Sequence, residues 1–253
     1  MYIVTGTKTG LGQYLSNELN AIKYYRGVVW EDFVKKVQID QENIIIHSAF
    51  NLSREVSSEN YNNYIADTIG LTQKLCSLPN KKFIFISTVD VYPKGKTSCK
   101  EDMVFDVNTL DGVYARTKLI CEEIVRSQSL NYLILRPAAL FGCFMRKNSV
   151  VKLLDNNQEK LSLAKNSSFN IVLYEDILTF IKKAIDHNLG GTFNIASSSN
   201  ITLNDLVKEF DLNNVSFGSF VYQTNEINNS KAVKILPRLS ETSLESLKRF
   251  KAE

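Results

Sequence analysis

Apolar residues along the chain follow two alternating rhythms, short continuous runs and four-residue spacings, separated by glycines and polar turns. Residues 2–5 form an apolar run, a turn with Gly6, Gly10 and Gly12 follows, and Leu11, Leu15 and Leu19 then recur along one helical face. That order predicts strand, turn, helix. Residues 22–26 predict a second short strand, 30–37 a helix, and 44–47 a buried strand ending at Ser48 and Ala49. After a polar loop, 61–78 predicts a helix, and 82–87 is the most strand-like run because aromatic and β-branched side chains crowd together there. Residues 114–128 keep helical period through Tyr114, Lys118, Cys121 and Val125, and a strand at 132–135 runs into Arg136 and Pro137. Strands separated by helices predict an α/β fold, a doubly wound parallel sheet with helices on both faces.

Near Gly142 the rhythm changes. Residues 148–172 combine one helix with polar turns, 176–186 predict a helix and 192–196 a strand, and the remainder is polar and rich in Asn. The expected organisation is a sheet domain over 1–142, to which a strand and helix at about 171–196 return, and a small lid-like region built from 143–170 and 197–253.

Of 253 residues 44% are apolar, enough for a sizeable core, and the net charge of +3 is too small to point to nucleic acid or an acidic membrane surface. No run approaches the ~18 apolar residues of a membrane helix. The start Met1-Tyr2-Ile3-Val4 lacks the charged leader of a signal peptide, so a cytoplasmic location is expected. Cys76, Cys99, Cys121 and Cys143 are widely spaced and only His47 and His187 accompany them, which predicts reduced, mostly buried thiols and no metal site.

Three motifs carry candidate chemistry. Thr5-Gly6-Thr7-Lys8-Thr9-Gly10-Leu11-Gly12 lies between a predicted strand and a predicted helix, where glycine lets the backbone approach a diphosphate held by free N–H groups and the helix dipole. Its plainer reading is a tight turn that binds nothing. Tyr114 and Lys118 put a phenol and an ammonium on one helical face; a surface tyrosine lying along a lysine stem would have the same spacing. Ser87-Thr88-Val89-Asp90-Val91-Tyr92 follows a central strand at its carboxyl end, where open α/β sheets place ligands, although hydroxyls there also satisfy backbone groups.

In this order and with these separations, the motifs resemble the extended short-chain dehydrogenase/reductase superfamily, the NAD(P)-dependent sugar epimerases, dehydratases and reductases. Ile46-His47-Ser48-Ala49, Leu135-Arg136-Pro137 with Phe141-Gly142, Tyr174-Glu175-Asp176-Ile177 and Gly191-Thr192-Phe193-Asn194-Ile195 extend the resemblance over residues 1–207. The run 87–94 is similar to reductases and epimerases of deoxy-sugar nucleotides. The resemblance implies a Rossmann-like fold with a small C-terminal substrate-binding region and a homodimer paired through the helices 61–78 and 114–128, whose outward faces carry Ile65, Ile69, Ile120 and Ile124.

It also implies site roles. Gly6, Lys8, Thr9, Gly10, Leu11 and Gly12 would cradle the dinucleotide, with Arg26, Ser48, Ala49, Ser87 and Pro137 along its length and Tyr114 and Lys118 at the nicotinamide end. Thr88, Tyr114 and Lys118 would form the proton relay: Tyr114 exchanges the proton, positive charge on Lys118 favours its phenolate, and Thr88 orients the substrate oxygen. Asp90, Phe141, Arg146 and Phe169 would meet the substrate. The expected function is an NAD(P)-dependent oxidoreductase or epimerase acting on a sugar, nucleotide-linked. The rival readings are a reductase of a small non-sugar carbonyl and an NAD(P)-binding regulator without turnover.

The chain departs from the family pattern in several places. Its glycine turn has GxxxGxG spacing, and between Arg26 and Ile44 it has one helix where relatives also have a strand. Val89 stands where dehydratases carry an acid, which counts against dehydration, and Asp67 replaces the helix asparagine that supports the relay. Arg26, at the end of the second strand, suits a 2′-phosphate and so predicts NADP over NAD; the alternative gives the ribose to Glu31 or Asp32. The arginine that pairs with the substrate diphosphate in sugar-nucleotide enzymes falls near Phe169. Its charge must then come from Lys165, Arg146 or Lys147, or the substrate lacks a diphosphate.

Overall fold

In chain order the strands are β1 (Tyr2–Thr5), β2 (Ile22–Tyr24), β3 (Ile44–His47), β4 (Lys82–Ile86), β5 (Tyr132–Pro137), β6 (Ala139–Phe141), β7 (Ser168–Phe169), β8 (Ile171–Leu173), β9 (Gly191–Ile195) and β10 (Ile201–Thr202). The structure, a computed structural model, describes residues 1–37, 41–53, 55–95, 98–155 and 160–252. The main sheet has the order β2-β1-β3-β4-β5-β9 and is parallel throughout, as the sequence pattern predicts. Two small ladders stand apart from it, β6 with β8 in parallel and β7 with β10 antiparallel.

The helices are α1 (Gly10–Glu18), α2 (Trp30–Val37), α3 (Tyr61–Ile65), α4 (Leu71–Cys76), α5 (Gly112–Gln128), α6 (Ser149–Leu154), α7 (Tyr174–Asp186), α8 (Leu203–Glu209), α9 (Ser230–Val233) and α10 (Ser243–Ala252). Residue types explain several ends. Glu31 and Asp32 open α2 and Lys35 and Lys36 close it, matching the helix dipole. Thr202 and Asp205 form a reciprocal capping box on α8.

Both faces of the sheet are covered, and the strands show why. Val4, Ile46, Ile84, Ile86, Leu133 and Leu135 pack toward Leu11 and Leu15 of α1 and Ile177 and Ile181 of α7. The intervening residues Ile3, Ile45, Phe83, Phe85 and Ile134 pack toward Phe33 of α2, Leu75 of α4 and Val125 of α5. Alternation within uniformly apolar strands is the mark of a sheet buried on both sides. A third core joins Phe141, Val150, Phe169, Ile171, Leu206 and Leu247, so much of the polar C-terminal third is packed around its own apolar centre. Cys76, Cys99 and Cys121 are buried thiols, and Cys143 is an exposed one. Among the described residues no helix is long and apolar enough to cross a membrane.

The structure departs from the pattern-based expectation most clearly at 61–78. The single predicted helix is three segments, because Ala66–Gly70 between α3 and α4 is a π turn in which the Leu71 N–H reaches back to the Ala66 carbonyl. Thr68 Oγ1 donates to the Tyr64 carbonyl at 2.6 Å and Thr72 Oγ1 to the Thr68 carbonyl at 2.8 Å, so side-chain hydroxyls satisfy carbonyls within this irregular stretch. Strand β2 stops at Tyr24 rather than 26, which leaves Tyr25 and Arg26 in the following turn.

Candidate functional site

Strand order reverses between β1 and β3, since the chain leaves β1 toward β2 and returns on the other side. That switch point, at the carboxyl ends of parallel strands, is where such sheets open a crevice. A cleft of about 1030 Å³ lies there. The sequence gathers its walls from strand ends: the glycine turn after β1, Arg26 after β2, Ser48 and Ala49 after β3, and Ser87 after β4. Tyr114 and Lys118 of α5 and Arg146 complete it.

The glycine turn is tight because two of its glycines have no room for a side chain. A Cβ on Gly6, whose φ is +76°, would lie 2.8 Å from the Ala49 nitrogen, and one on Gly12 would lie 2.4 Å from the Gly6 carbonyl oxygen. Thr9 stands at the N-cap of α1 without a side-chain bond to the helix, so it does not cap the first turn. Among the described residues, Lys8, Arg26, Lys74, Lys118 and Arg146 line the cleft against one carboxylate, that of Asp67. An uncapped helix start, close backbone approach and excess positive charge fit a dinucleotide diphosphate.

A buried chain of hydrogen bonds sets the spacing of the cleft walls. Thr5 Oγ1 accepts from the Ser48 and Ala49 N–H groups at 3.1 and 3.0 Å and lies 2.8 Å from His47 Nδ1. With two N–H groups already accepted, the hydroxyl donates to Nδ1. The ring proton is then on Nε2 and donates to Thr72 Oγ1 at 3.0 Å. Burial, with help from the charge of Lys118, holds His47 down at about 3, so the ring is neutral near pH 7. His47 is therefore a structural brace between the turn of β1, the end of β3 and α4.

Tyr114 and Lys118 share one face of α5, as their spacing predicts. Lys118 is buried and its Nζ donates to the Ile86 carbonyl at 2.7 Å. Phe50 packs on both residues, with Lys118 Nζ 3.9 Å from its ring centre and the Tyr114 ring edge-on at 5.5 Å. Burial lowers Lys118 to about 7 despite opposing charge on Cys121 and Glu122. Folding therefore sheds protons from Lys118 between about pH 7 and its ordinary value, and its contribution makes stability rise with pH across that window. Lys118→Met is expected to raise stability at pH 7 by on the order of 2 kcal/mol, the desolvation relief exceeding the lost bond to Ile86, and to flatten that rise. Melting temperatures of both proteins from pH 6.5 to 9.5 check this; a variant less stable at every pH contradicts it.

On the opposite flank Arg26 Nη2 donates to Asp67 Oδ2, and Asn51 Nδ2 donates to the same oxygen at 3.1 Å. Lys8 lies 5.0 Å from the Tyr25 ring centre and Lys74 5.5 Å from that of Trp30. Glu31 and Asp32, the alternative ribose ligands, are in the first turn of α2 and do not line the cleft.

The structure separates the remaining expected residues. Thr88 stands one residue beyond the lining Ser87, partly buried, with Oγ1 accepting from the Asp90 N–H at 3.1 Å. Asp90 pairs with Lys94 at 3.4 Å. Pro137 is buried at the end of β5, and Leu140 lines the cleft in its stead. Phe141 and Phe169 are corrected to core residues: Phe141 is fully buried edge-on to Phe250, and Phe169 stacks on Tyr222 with ring centres 5.1 Å apart. Of the three cations considered for a substrate diphosphate, Arg146 lines the cleft, Lys147 pairs with Asp155 at 2.8 Å, and Lys165 is exposed away from the cleft lining. The motif reading missed Tyr24, Tyr25, Phe50, Asn51 and Lys74. The first four directly follow or end β2 and β3, so extending each strand end by a few residues would have found them.

Comparison with known proteins gives one family and a consistent set of folds. The NAD dependent epimerase/dehydratase family matches residues 18–196. A curated relative, the adenylate-forming reductase Nps11 of Serpula lacrymans var. lacrymans (strain S7.9), is 32% identical over 96 residues, which are 35% of this chain and 9% of that protein. The dTDP-4-dehydrorhamnose reductase of Bacillus anthracis str. Ames, solved with NADP, superposes with a TM-score of 0.78 at 19% identity over 99% of this chain and 98% of that one. The UDP-glucuronic acid 4-epimerase of Bacillus cereus, solved with UDP-glucuronic acid and NAD, gives 0.73 at 17% identity over 98% and 96%.

Proposed function

The chain belongs to the NAD-dependent epimerase/dehydratase family, and on that premise we propose that it is an NAD(P)-dependent oxidoreductase or epimerase acting on a sugar carried by a nucleotide. One observation carries the reading: Tyr114 and Lys118 line the same cleft as the glycine turn and Ser87. A bound NAD or NADP supplies or takes up hydride there. Tyr114 exchanges the proton of the substrate alcohol or carbonyl, and Lys118 beside it favours the phenolate when it carries its ammonium charge and holds the nicotinamide ribose. Thr88 keeps its own proton to donate to the substrate oxygen while its Oγ1 accepts from Asp90. Phe50 covers Lys118 and keeps water from it.

The substrate side supports a sugar nucleotide more weakly than the dinucleotide side supports its ligand. The two structural neighbours carry dTDP- or UDP-linked sugars in their names, and here Arg146 is the cation placed to meet a substrate diphosphate. Without a second cation from the Phe169 position, free nucleoside diphosphates are expected to bind weakly. Isothermal titration with UDP, GDP, dTDP and CDP tests this: a tight complex with any of them contradicts the single-cation argument, and no heat from all four shifts the assignment to a small non-sugar carbonyl or a sugar without a nucleotide. Binding of NAD or NADP is the separate test of the dinucleotide reading, read as a rise in melting temperature. Arg26, the basis for expecting NADP, is engaged by Asp67, so cofactor preference turns on that pair. A homodimer through α3, α4 and α5 is supported by Ile120, 46% exposed on α5, and by partly exposed Ile65, Ile69 and Ile124.

A further inference from the structure

Building on the cleft as a dinucleotide site, we propose that Asp67 decides between NAD and NADP: its carboxylate occupies on Arg26 the place a 2′-phosphate needs, and the protein favours NAD. The geometry makes Asp67 part of the site. Arg26, Asn51, Ser53, Ala66 and Asp67 line both the main cleft and an adjoining recess of about 300 Å³, so the ion pair stands as a partition between the two spaces.

Asp67 is held in that partition by the backbone beneath it. It is the second residue of the π turn, and Thr68 and Thr72 fasten the turn through their bonds to the Tyr64 and Thr68 carbonyls. Thr72 continues through His47 to Thr5 at the start of the glycine turn, which links the placement of Asp67 to the wall that holds the diphosphate. The carboxylate oxygen that meets Arg26 also accepts from Asn51, so it is oriented from two sides.

The discrimination follows from charge. A phosphate monoester carries a charge of about −1.5 to −2 near neutrality. To fork Arg26 through Nη2 it must displace the Asp67 carboxylate, and through the other N–H groups it still lies beside that acid. A ribose 2′-hydroxyl is neutral, displaces nothing, and can itself donate to a carboxylate. Lys8 and Lys74 are nearby but lie over the Tyr25 and Trp30 rings, so among the described residues of this wall Arg26 is the guanidinium shaped to fork a phosphate. Asp67→Asn keeps the size of the side chain and its contact with Asn51 while removing the competing charge.

The test is the dissociation constant of each dinucleotide for the purified wild type, Asp67→Asn and Asp67→Asn/Arg26→Ala, by isothermal titration with quenching of the single tryptophan, Trp30, as a second readout. The expected result is tighter NAD than NADP binding in the wild type. In Asp67→Asn, NADP affinity should gain about tenfold while NAD stays within about threefold, and the gain should vanish in the double variant. Wild type that prefers NADP, an unchanged ratio in Asp67→Asn, or a gain that survives loss of Arg26 overturns the proposal while leaving the dinucleotide reading intact. Failure of both dinucleotides to bind any of the three proteins overturns the dinucleotide reading itself, and this inference with it.

Discussion

Replacing Tyr114 with Phe is expected to lower turnover by about a thousandfold or more while NAD(P) affinity changes by no more than about threefold. The difference arises because the substitution removes one hydroxyl and nothing else. The ring keeps its edge-on contact with Phe50 and its place on α5 above Lys118, so the wall of the cleft is preserved. What disappears is the group that exchanges the substrate proton, and general acid–base catalysis by a positioned side chain is typically worth about 10² to 10⁴ in rate. A fall in kcat with an unchanged dinucleotide Kd is the signature, because binding and chemistry then part. Steady-state rates with an identified substrate, set beside titration of the dinucleotide, measure both. Near-wild-type turnover removes Tyr114 from the mechanism, and equal loss of affinity and rate makes its role one of packing.

The second large effect concerns stability. Glu122→Gln is expected to destabilise the fold by about 3 to 5 kcal/mol, because it breaks a buried charge network from its centre. The Glu122 side chain is fully buried and accepts from Arg136 Nε at 3.0 Å, Arg136 Nη2 at 2.7 Å, Arg126 Nη2 at 2.7 Å and Ser87 Oγ at 2.5 Å. Arg136 also donates to the Tyr92 hydroxyl, which donates to Asn194; Asn194 in turn holds the carbonyls of Cys99 and Asn228. The network therefore joins the carboxyl ends of β4 and β5, the strand β9 and a C-terminal segment, directly behind the lining residue Ser87. A glutamine turns an amide N–H₂ toward a guanidinium that has little water to turn to.

The pH dependence of that effect has a definite sign. Burial pushes the Glu122 carboxyl up, but the bonds and charge of Arg136, with Ser87 and Arg126, outweigh it and leave it below the usual carboxylate range. Its stabilisation is therefore complete above the unfolded value of about 4.3 and is lost as pH falls through the lower folded value. The deficit of Glu122→Gln should be full at pH 7 and narrow in strong acid. Urea unfolding at pH 7 and at pH 3 measures this, and an equal deficit at both contradicts the charge argument. At a rate of roughly 2 to 4 °C per kcal/mol for a chain of this size, the melting temperature at pH 7 should fall by about 10 °C.

Much of the architecture was legible along the chain because it is written in short intervals. Short continuous apolar runs mark β3, β4 and β5, spacing at four marks α1 and α5, and a glycine turn between a strand and a helix needs no distant partner to be recognised. Tyr114 and Lys118 could be placed on one face for the same reason. The interruption in 61–78 was not legible. Its composition suits an ordinary helix, and the π turn is held by the Thr68 and Thr72 hydroxyls acting on carbonyls whose release no periodicity reports.

By itself, the sequence determined the order of strands and helices, the glycine turn, and the helical face that carries the phenol and the ammonium, since each depends on residues a few places apart. The tertiary structure decided which groups meet. Arg26 reaches Asp67 across 41 positions, Thr5 reaches His47 across 42, and Ser87 reaches Glu122 across 35. It also decided that Phe141 and Phe169 close a core with Phe250 and Tyr222 instead of lining a pocket. The physical reason is that hydrogen bonds, ion pairs and packing act over a few ångströms, and which distant residues come within that range is set by how strands and helices stack, which local spacing does not encode.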